Sequence, residues 1–298
     1  MIALVPVAAA AQQFLLGPPG HSPDPNARFE VASVKAWDDA AGRMMLRMTP
    51  GRFESMGVPV GVLLRQALQK PDYELAGVPG WTATARFAIQ GTMPDGAPLS
   101  AMTMMLVNLL KDRFQLATHL ETREQPIFHL VMARADGRLG PDLKATAAEC
   151  QATIKERMAV TQSAAGTTGR GGAPPPLPPF DPNGPLPCGS TRINPGRIRG
   201  SGRTITQILP MLSDLMGRPV IDKTGLAGLY DVTLTFNPEG RSVASPFGPA
   251  PGAPAPVVDP DAPSLSTALQ EQLGLKLEGA RGPVEITVID KFEKPALD

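Results

Sequence analysis

The chain has 298 residues, which is enough for one large domain or for two of ordinary size. Its 28 basic and 28 acidic residues cancel, so no overall field attracts the protein to nucleic acid or to an anionic membrane surface. Hydrophobic residues make up 42% of the chain, but the 34 prolines and 30 glycines exceed what helices and strands can hold, and we expect this excess in loops.

The first predicted region, residues 1–27, is a signal-like N-terminal segment. Residues 1–17 are apolar, and Ala8 to Ala11 supply the small side chains that a signal-peptide cleavage site needs. The usual basic start is missing, and the stretch is shorter than the roughly 20 apolar residues that span a bilayer, so no transmembrane segment is expected. Export to the periplasm or the exterior is the favoured interpretation, and a ragged gene start or a disordered arm are the alternatives.

A first α/β module is predicted over residues 28–145. Its first element is an alternating strand at 28–36. After that strand, periodicity and turn residues predict seven elements in a fixed order. These are a strand at 51–55, a helix at 59–69, a turn at 77–80, a strand at 86–90, a helix at 99–111 and hairpin strands at 114–120 and 127–133. Trp81 follows the turn, where a large aromatic is either a lid over the core, which we favour, or an anchor for a partner.

The predicted hairpin carries the candidate metal ligands. A turn near Glu124 would place His119 opposite His129, and Glu121 would share their face. Two imidazoles and a carboxylate could bind zinc or copper. We favour an ordinary exposed polar face because no third strong ligand at a fixed distance is evident, and no cofactor is predicted. Arg123 lies in the charged turn and is a candidate partner contact.

A linker rich in Pro and Gly is predicted over residues 146–195, structureless from 161 to 194. Cys150 and Cys188 bracket it, and they are the chain's two cysteines. A disulfide is the favoured interpretation, because two thiols alone make a poor zinc site, and two free thiols are the alternative. The bond would close a loop of 188 − 150 = 38 residues, stabilise the fold by about 3–4 kcal/mol and agree with export.

Residues 196–298 are predicted to repeat the order of the first module, with a Pro/Gly insertion at 238–263. The second copy has a strand at 196–200, a helix at 204–216 with Thr204 as N-cap and Gly217 after its end, a turn at 223–228, a strand at 230–236, a helix at 264–273 and hairpin strands at 275–278 and 284–290. The sequence therefore predicts an α+β fold of two tandem β-α-β-β-α-β-β modules that arose by internal duplication.

Asp222 and Lys223 begin the turn of the second copy. The segment Asp222 to Gly225 suggests a phosphate-binding turn, but it lacks the GxxxxGKS pattern and a helix directly after it. An ordinary turn is favoured, in which Asp222 and Thr224 bond local amides and Gly225 or Gly228 adopts a positive φ. Both Asp222 and Lys223 remain candidates for partner contact.

Several motifs carry a resemblance to a known family. They are FEVASVK at 29–35, LLKDRFQL at 109–116, HLETREQP at 119–126, GRPVIDKTGLAGLYD at 217–231 and GPVEITVIDKFEKP at 282–295. With them the chain resembles an uncharacterised family of exported soil-bacterial proteins, often labelled soil-associated, for which no catalytic residues are known. Each copy more weakly resembles the short N-terminal module of secretins and TonB-dependent receptors, which implies contact with envelope proteins.

No catalytic motif is recognisable. GxSxG and HExxH are missing, and the cysteines are better explained as a disulfide. The sequence thus favours a non-catalytic exported binding or sensing protein of the bacterial cell envelope that acts through protein contacts. The alternative is an extracytoplasmic hydrolase or a metal-binding protein that uses His119 and His129.

Overall fold

The structure is a computed structural model that describes residues 24–37, 44–164, 184, 186–238 and 261–295. Most of the signal-like segment and of the Pro/Gly insertion lies outside these ranges. The strands within them are β1 Val31–Ala36, β2 Met45–Thr49, β3 Arg52–Pro59, β4 Leu75–Ala76, β5 Arg86–Thr92, β6 Ala117–Met132, β7 Leu143–Ala145, β8 Thr191–Asn194, β9 Arg197–Arg203, β10 Val220–Asp222, β11 Tyr230–Thr235 and β12 Leu275–Lys291.

The helices are α1 Val60–Leu68, α2 Met102–Phe114, α3 Ala148–Ala164, α4 Ile205–Met216 and α5 Leu265–Ala268, which continues as a π-helical turn Leu269–Leu273. Helix α4 begins and ends where the sequence predicts. The side chain of Thr204 accepts from the backbone of Gln207 and the Gln207 side chain accepts in return, while Gly217 adopts the left-handed conformation. Within the described ranges, no helix combines the length and the apolar character that crossing a membrane requires.

Two outer sheets have the same strand order. The first is β1-β5-β3-β2 and the second is β7-β11-β9-β8, and every pairing in both is antiparallel. Each sheet turns alternate apolar residues toward its own helices, as Ile89 does on β5 and Leu234 on β11. The prediction of a mixed α+β fold is confirmed.

A central sheet of order β10-β6-β12-β4 joins the two halves of the chain, which we define as β1–β6 and β7–β12. The long strands β6 and β12 pair antiparallel along nearly their whole length. The short strands are exchanged: β4 of the first half lies parallel to β12 of the second, and β10 of the second lies parallel to β6 of the first. The halves thus share one sheet, and each strand of the first has a counterpart in the second. This likeness supports a duplication, which stays a prediction.

Both predicted hairpins are wrong. Residues 117–132 form one strand, and so do residues 275–291. Tight hairpin turns need residues with positive φ, and neither the charged segment around Glu124 nor Gly279 and Gly282 has one. Each predicted pair of strands is instead a single extended strand whose partner comes from the other half.

The boundaries of the halves also differ from the predicted modules. Strand β7, placed in the first module by the sequence, pairs with β11 of the second half. Helix α3 and strand β8 lie inside the segment predicted as a linker, so the stretch 161–194, predicted to be structureless, contains regular structure at both ends. The residues between them, apart from Gly184 and 186–190, lie outside the described ranges.

Each outer sheet covers a core of its own, and the halves exchange side chains between these cores. Phe292, beyond β12, packs on Phe114 in the first core, with ring centroids 5.6 Å apart. Leu130 of β6 belongs to the second core. A small third cluster, Ile127 with Val284 and Ile286, packs between β6 and β12. The exchanged residues tie the halves together beyond the backbone ladder.

Candidate protein-binding edge of the central sheet

One side of β6 is open over most of its length. The strand begins at Ala117 and pairs with β12 along one side, whereas β10 joins the other side only from Phe128. Between these points no other described strand pairs with β6. We call residues 117–125 the β6 edge. A strand edge of this kind presents backbone N–H and C=O groups that can pair with another chain.

The β6 edge is exposed on both faces. Residues 117–122 are all exposed, and Leu120 has an accessible fraction of 62%. On the neighbouring β12, Val284 and Ile286 are buried. The edge contains neither Gly nor Pro, the first proline being Pro126, so nothing in its sequence interrupts an extended ladder.

An ion pair and a hydrogen bond between a histidine and a carboxylate lie on this part of the sheet. Arg123 donates to Glu121 at 2.7 Å, and the hydrogen bond and charge of Arg123 lower the pKa of the Glu121 carboxyl. His119 Nδ1 lies 2.9 Å from Asp290 Oδ1 beside it on β12. Both pairs are about half exposed, where such pairs contribute little to stability. The Glu121–Arg123 pair instead gives the edge a pattern of alternating negative and positive charge.

The corresponding stretch of β12, residues 276–283, also has no strand on its outer side among the described residues, because β4 pairs only with Thr287 and Val288. We call it the β12 edge. It carries a similar ion pair, Lys276 with Glu278 at 2.7 Å. Gly279, Gly282 and Pro283 interrupt it, however, and such residues weaken or block strand pairing.

The structure separates the candidate metal ligands. His119 and His129 lie ten residues apart on one strand, which is about 33 Å at the rise of an extended chain. The prediction that they face each other is therefore wrong, because the hairpin that it assumed does not form. Across the described ranges, no three His, Cys, Asp or Glu side chains group in a way that could hold a metal ion.

Trp81 lies against the first core. Its ring stacks on Phe292 at a centroid distance of 5.4 Å, and its side chain is partly buried. This placement fits the core-lid alternative better than that of an exposed anchor. Phe292 in turn comes from the second half, so Trp81 helps to hold the chain's C-terminal segment on the first core.

Asp222 and Lys223 form a local turn. Asp222 Oδ1 accepts from both the amide and the hydroxyl of Thr224 at 2.8 Å, and Gly225 and Gly228 have positive φ. The amide of Lys223 donates to the Leu130 carbonyl on β6. Because these groups serve the turn and the end of β10, the geometry matches the ordinary turn that the sequence favoured.

Cys150 and Cys188 are joined, with Cα atoms 5.5 Å apart. Next to the bond, Asp231 Oδ1 accepts three hydrogen bonds, from Thr146 Oγ1, Ser201 Oγ and the Gly202 amide. The Ser201 hydroxyl thus donates to a carboxylate, not to a histidine, and the cluster fastens β7 and β9 to β11. The sequence predicted the bond but gave no sign of the carboxylate network.

A contact between the halves was not predicted. The Tyr73 hydroxyl, in the turn before β4, donates to Asp214 Oδ1 of α4 at 3.5 Å. Burial and the Asp214 charge raise the pKa of Tyr73, and burial also raises the pKa of Asp214, with further repulsion from Glu74 and Asp72. No local pattern links these two positions, since they meet only because the halves share the central sheet.

Comparison with known proteins places the chain by family alone. Neither the curated proteins nor the solved structures provide a match to it. One family model matches residues 62–292, which include most of α1, the whole central sheet and the second outer sheet. The chain therefore belongs to a family described as protein of unknown function (DUF3738).

Proposed function

We propose that this chain is a non-catalytic binding protein of the bacterial cell envelope, and that the β6 edge accepts an extended strand from a protein partner. The observation that carries the proposal is the open, uninterrupted stretch 117–125. In strand addition, backbone hydrogen bonds provide affinity, and alternate side chains provide specificity. On the β6 edge the alternating charges of Glu121 and Arg123 would set the register of the incoming strand.

Two further features support a role outside the cytoplasm and without chemistry. The bond between Cys150 and Cys188 is of a kind that persists in oxidising compartments. The histidines that a metal-binding or hydrolytic mechanism would use lie far apart on β6, and His119 pairs with Asp290. Resemblance to the docking modules of secretins and TonB-dependent receptors points the same way.

Site-specific photocrosslinking in the native envelope tests the proposal. A photoreactive residue at Thr122 places the probe near the middle of the β6 edge, and one at the exposed Arg281 places it on the β12 edge. We expect protein adducts from Thr122 and few from Arg281. Equal labelling at the two positions, or none at Thr122, would overturn the proposal.

A pair of charge insertions adds a functional readout. Leu120→Glu introduces a charge at an exposed position on the β6 edge, and Ile193→Glu introduces the same charge on β8, an edge strand of the second outer sheet, where Ile193 is 45% exposed. We expect Leu120→Glu to reduce crosslinking from Thr122 and Ile193→Glu to leave it unchanged. In parallel, the purified chain and its His119→Ala variant are tested on peptide, glycan and ester substrates, and turnover abolished by the variant would favour the hydrolase alternative.

A further inference from the structure

The open stretch of β6 is centred on one residue. It extends from Ala117, where the strand begins, to Ile127, just before β10 starts to pair at Phe128. The midpoint of 117–127 is Thr122. Two copies of such a stretch can run antiparallel with their Thr122 residues facing each other, so that each copy fills the open side of the other without reaching β10.

The charges on the edge suit this register. When Thr122 faces Thr122 of a second copy, Glu121 lies opposite Arg123 of that copy, and Arg123 lies opposite its Glu121. Directly opposed unlike charges stabilise antiparallel strands, and like charges destabilise them. Sliding the second copy by two residues brings either Glu121 against Glu121 or Arg123 against Arg123. Unlike charges therefore face each other when Thr122 is opposite Thr122. Like charges face each other when the second copy is displaced by two residues in either direction.

The same register covers the most exposed hydrophobic side chain of the edge. Leu120, 62% exposed, would lie directly opposite Glu124 of the second copy, with Thr122 and Pro126 as its diagonal neighbours. Residues 119–125 of each copy then form a seven-residue ladder free of Pro and Gly. An antiparallel ladder of this length is typical of a natural sheet.

We propose that the β6 edge binds the β6 edge of a second copy of this chain, antiparallel and with Thr122 on the two-fold axis. The result is a continuous sheet in which β4, β12 and β6 of one copy are followed by β6, β12 and β4 of the other. The inference rests on the proposed function and names its partner strand. Because a seven-residue strand pair is smaller than a standard interface, self-association is weak, with a Kd of about 10–100 µM.

Sedimentation velocity of the full, disulfide-bonded chain over about 1–500 µM measures the association. Arg123→Glu places Glu121 of each copy opposite a glutamate of the other copy. Glu121→Arg likewise places an arginine of each copy opposite an arginine of the other. Each single reversal weakens association at least about tenfold. The double variant Glu121→Arg with Arg123→Glu restores the complementary pattern and returns association to the wild-type range.

The β12 edge supplies a matched control. Lys276 and Glu278 form an ion pair of the same length as Glu121 and Arg123 and are similarly exposed, at 39% and 52% against 45% and 39%. Lys276→Glu therefore disturbs an equivalent pair on an edge that the proposal leaves unused, and association stays unchanged.

The possible outcomes separate this inference from the proposed function. A wild-type chain that stays monomeric over the whole range, a double variant that fails to recover, or loss of association in Lys276→Glu overturns self-pairing. Adducts from Thr122 to a different protein would then leave the proposed function standing. Adducts of the mass of two chains, broken by Arg123→Glu and regained by the double variant, support both. Circular dichroism of each single variant distinguishes dissociation from unfolding.

Discussion

The two halves of the chain have the same strand order but differ in what their long strands offer to solvent. In the first half, β6 presents an edge without Gly or Pro. In the second, Gly279, Gly282 and Pro283 interrupt the matching edge of β12. The second half also carries the disulfide, which uses both cysteines of the chain, and the Asp231 network, where the first half has Ala88 at the matching position. The shared order builds the sheet, and the local residues decide which edge can bind.

The largest difference between the halves should be the effect of the disulfide. Replacing both Cys150 and Cys188 by Ser releases a loop of 38 residues, and we expect the free energy of unfolding to fall by about 3–4 kcal/mol. Denaturant titration measures this loss, and hydrogen exchange should locate it mainly in β9 and β11. Treating the wild type with a reductant should reproduce the effect, whereas a loss below about 1 kcal/mol would mean that the bond adds little.

The Asp231 network should give the next largest effect. Asp231 on β11 pairs with Lys144 on β7. At the matching position of the first half, Ala88 on β5 pairs with Lys35 on β1. Asp231→Ala therefore gives the second half the residue found in the first and leaves three donors without their acceptor. We expect a loss of about 2–3 kcal/mol. Thr146→Ala, which removes one donor, should cost less, and the reverse ranking in denaturant titrations would contradict the role of the carboxylate.

The contact between the halves at Asp214 should show a pH dependence. Burial raises the pKa of Asp214 in the folded state, so folding favours its protonated form. The stability that this group contributes is fully present below its unfolded pKa of about 3.9. It is lost as the pH rises through the folded pKa. Asp214→Asn keeps an acceptor for Tyr73 and removes the charge. We expect a higher Tm than wild type at pH 7 and a smaller difference at pH 4. An equal gain at both pH values would exclude ionisation as its cause.

The smallest effect is expected in the first half, at Ser55 on β3. Its side chain is fully buried, and its hydroxyl has no hydrogen-bond partner among the described residues. Since a buried hydroxyl without a partner costs free energy, Ser55→Ala should leave stability unchanged or raise it by up to about 1 kcal/mol. The buried Thr82, whose hydroxyl donates to the Pro79 carbonyl at 2.7 Å, is the contrasting site. There Thr82→Ser, which keeps the donor, should be less costly than Thr82→Ala.

Local patterns predicted much of the fold. The caps of α4, the turn at Asp222 and the disulfide are all set by residues close in sequence or by composition. The alternating runs also placed most of the strands. These features could be predicted because each depends on periodicity, capping or turn chemistry within a few residues.

Pairing partners could not be predicted in the same way. The charged segment at 122–126 resembles a turn in composition, but composition does not distinguish a turn from an exposed strand edge. The missing sign was a residue suited to positive φ, which a tight hairpin needs and this segment lacks. The candidate site follows from that difference, because an edge at residues 117–125 exists only when β6 runs straight and takes its partner from the other half.

The most direct test of the account is backbone hydrogen exchange, measured for the isolated chain and for the complex that crosslinking from Thr122 identifies, whether with a second copy or another protein. Strand addition protects the amides that join the new ladder. The account predicts slower exchange within residues 117–125 on complex formation and unchanged exchange within 276–283. Protection confined to other surfaces, with β6 exchanging as in the isolated chain, would contradict it.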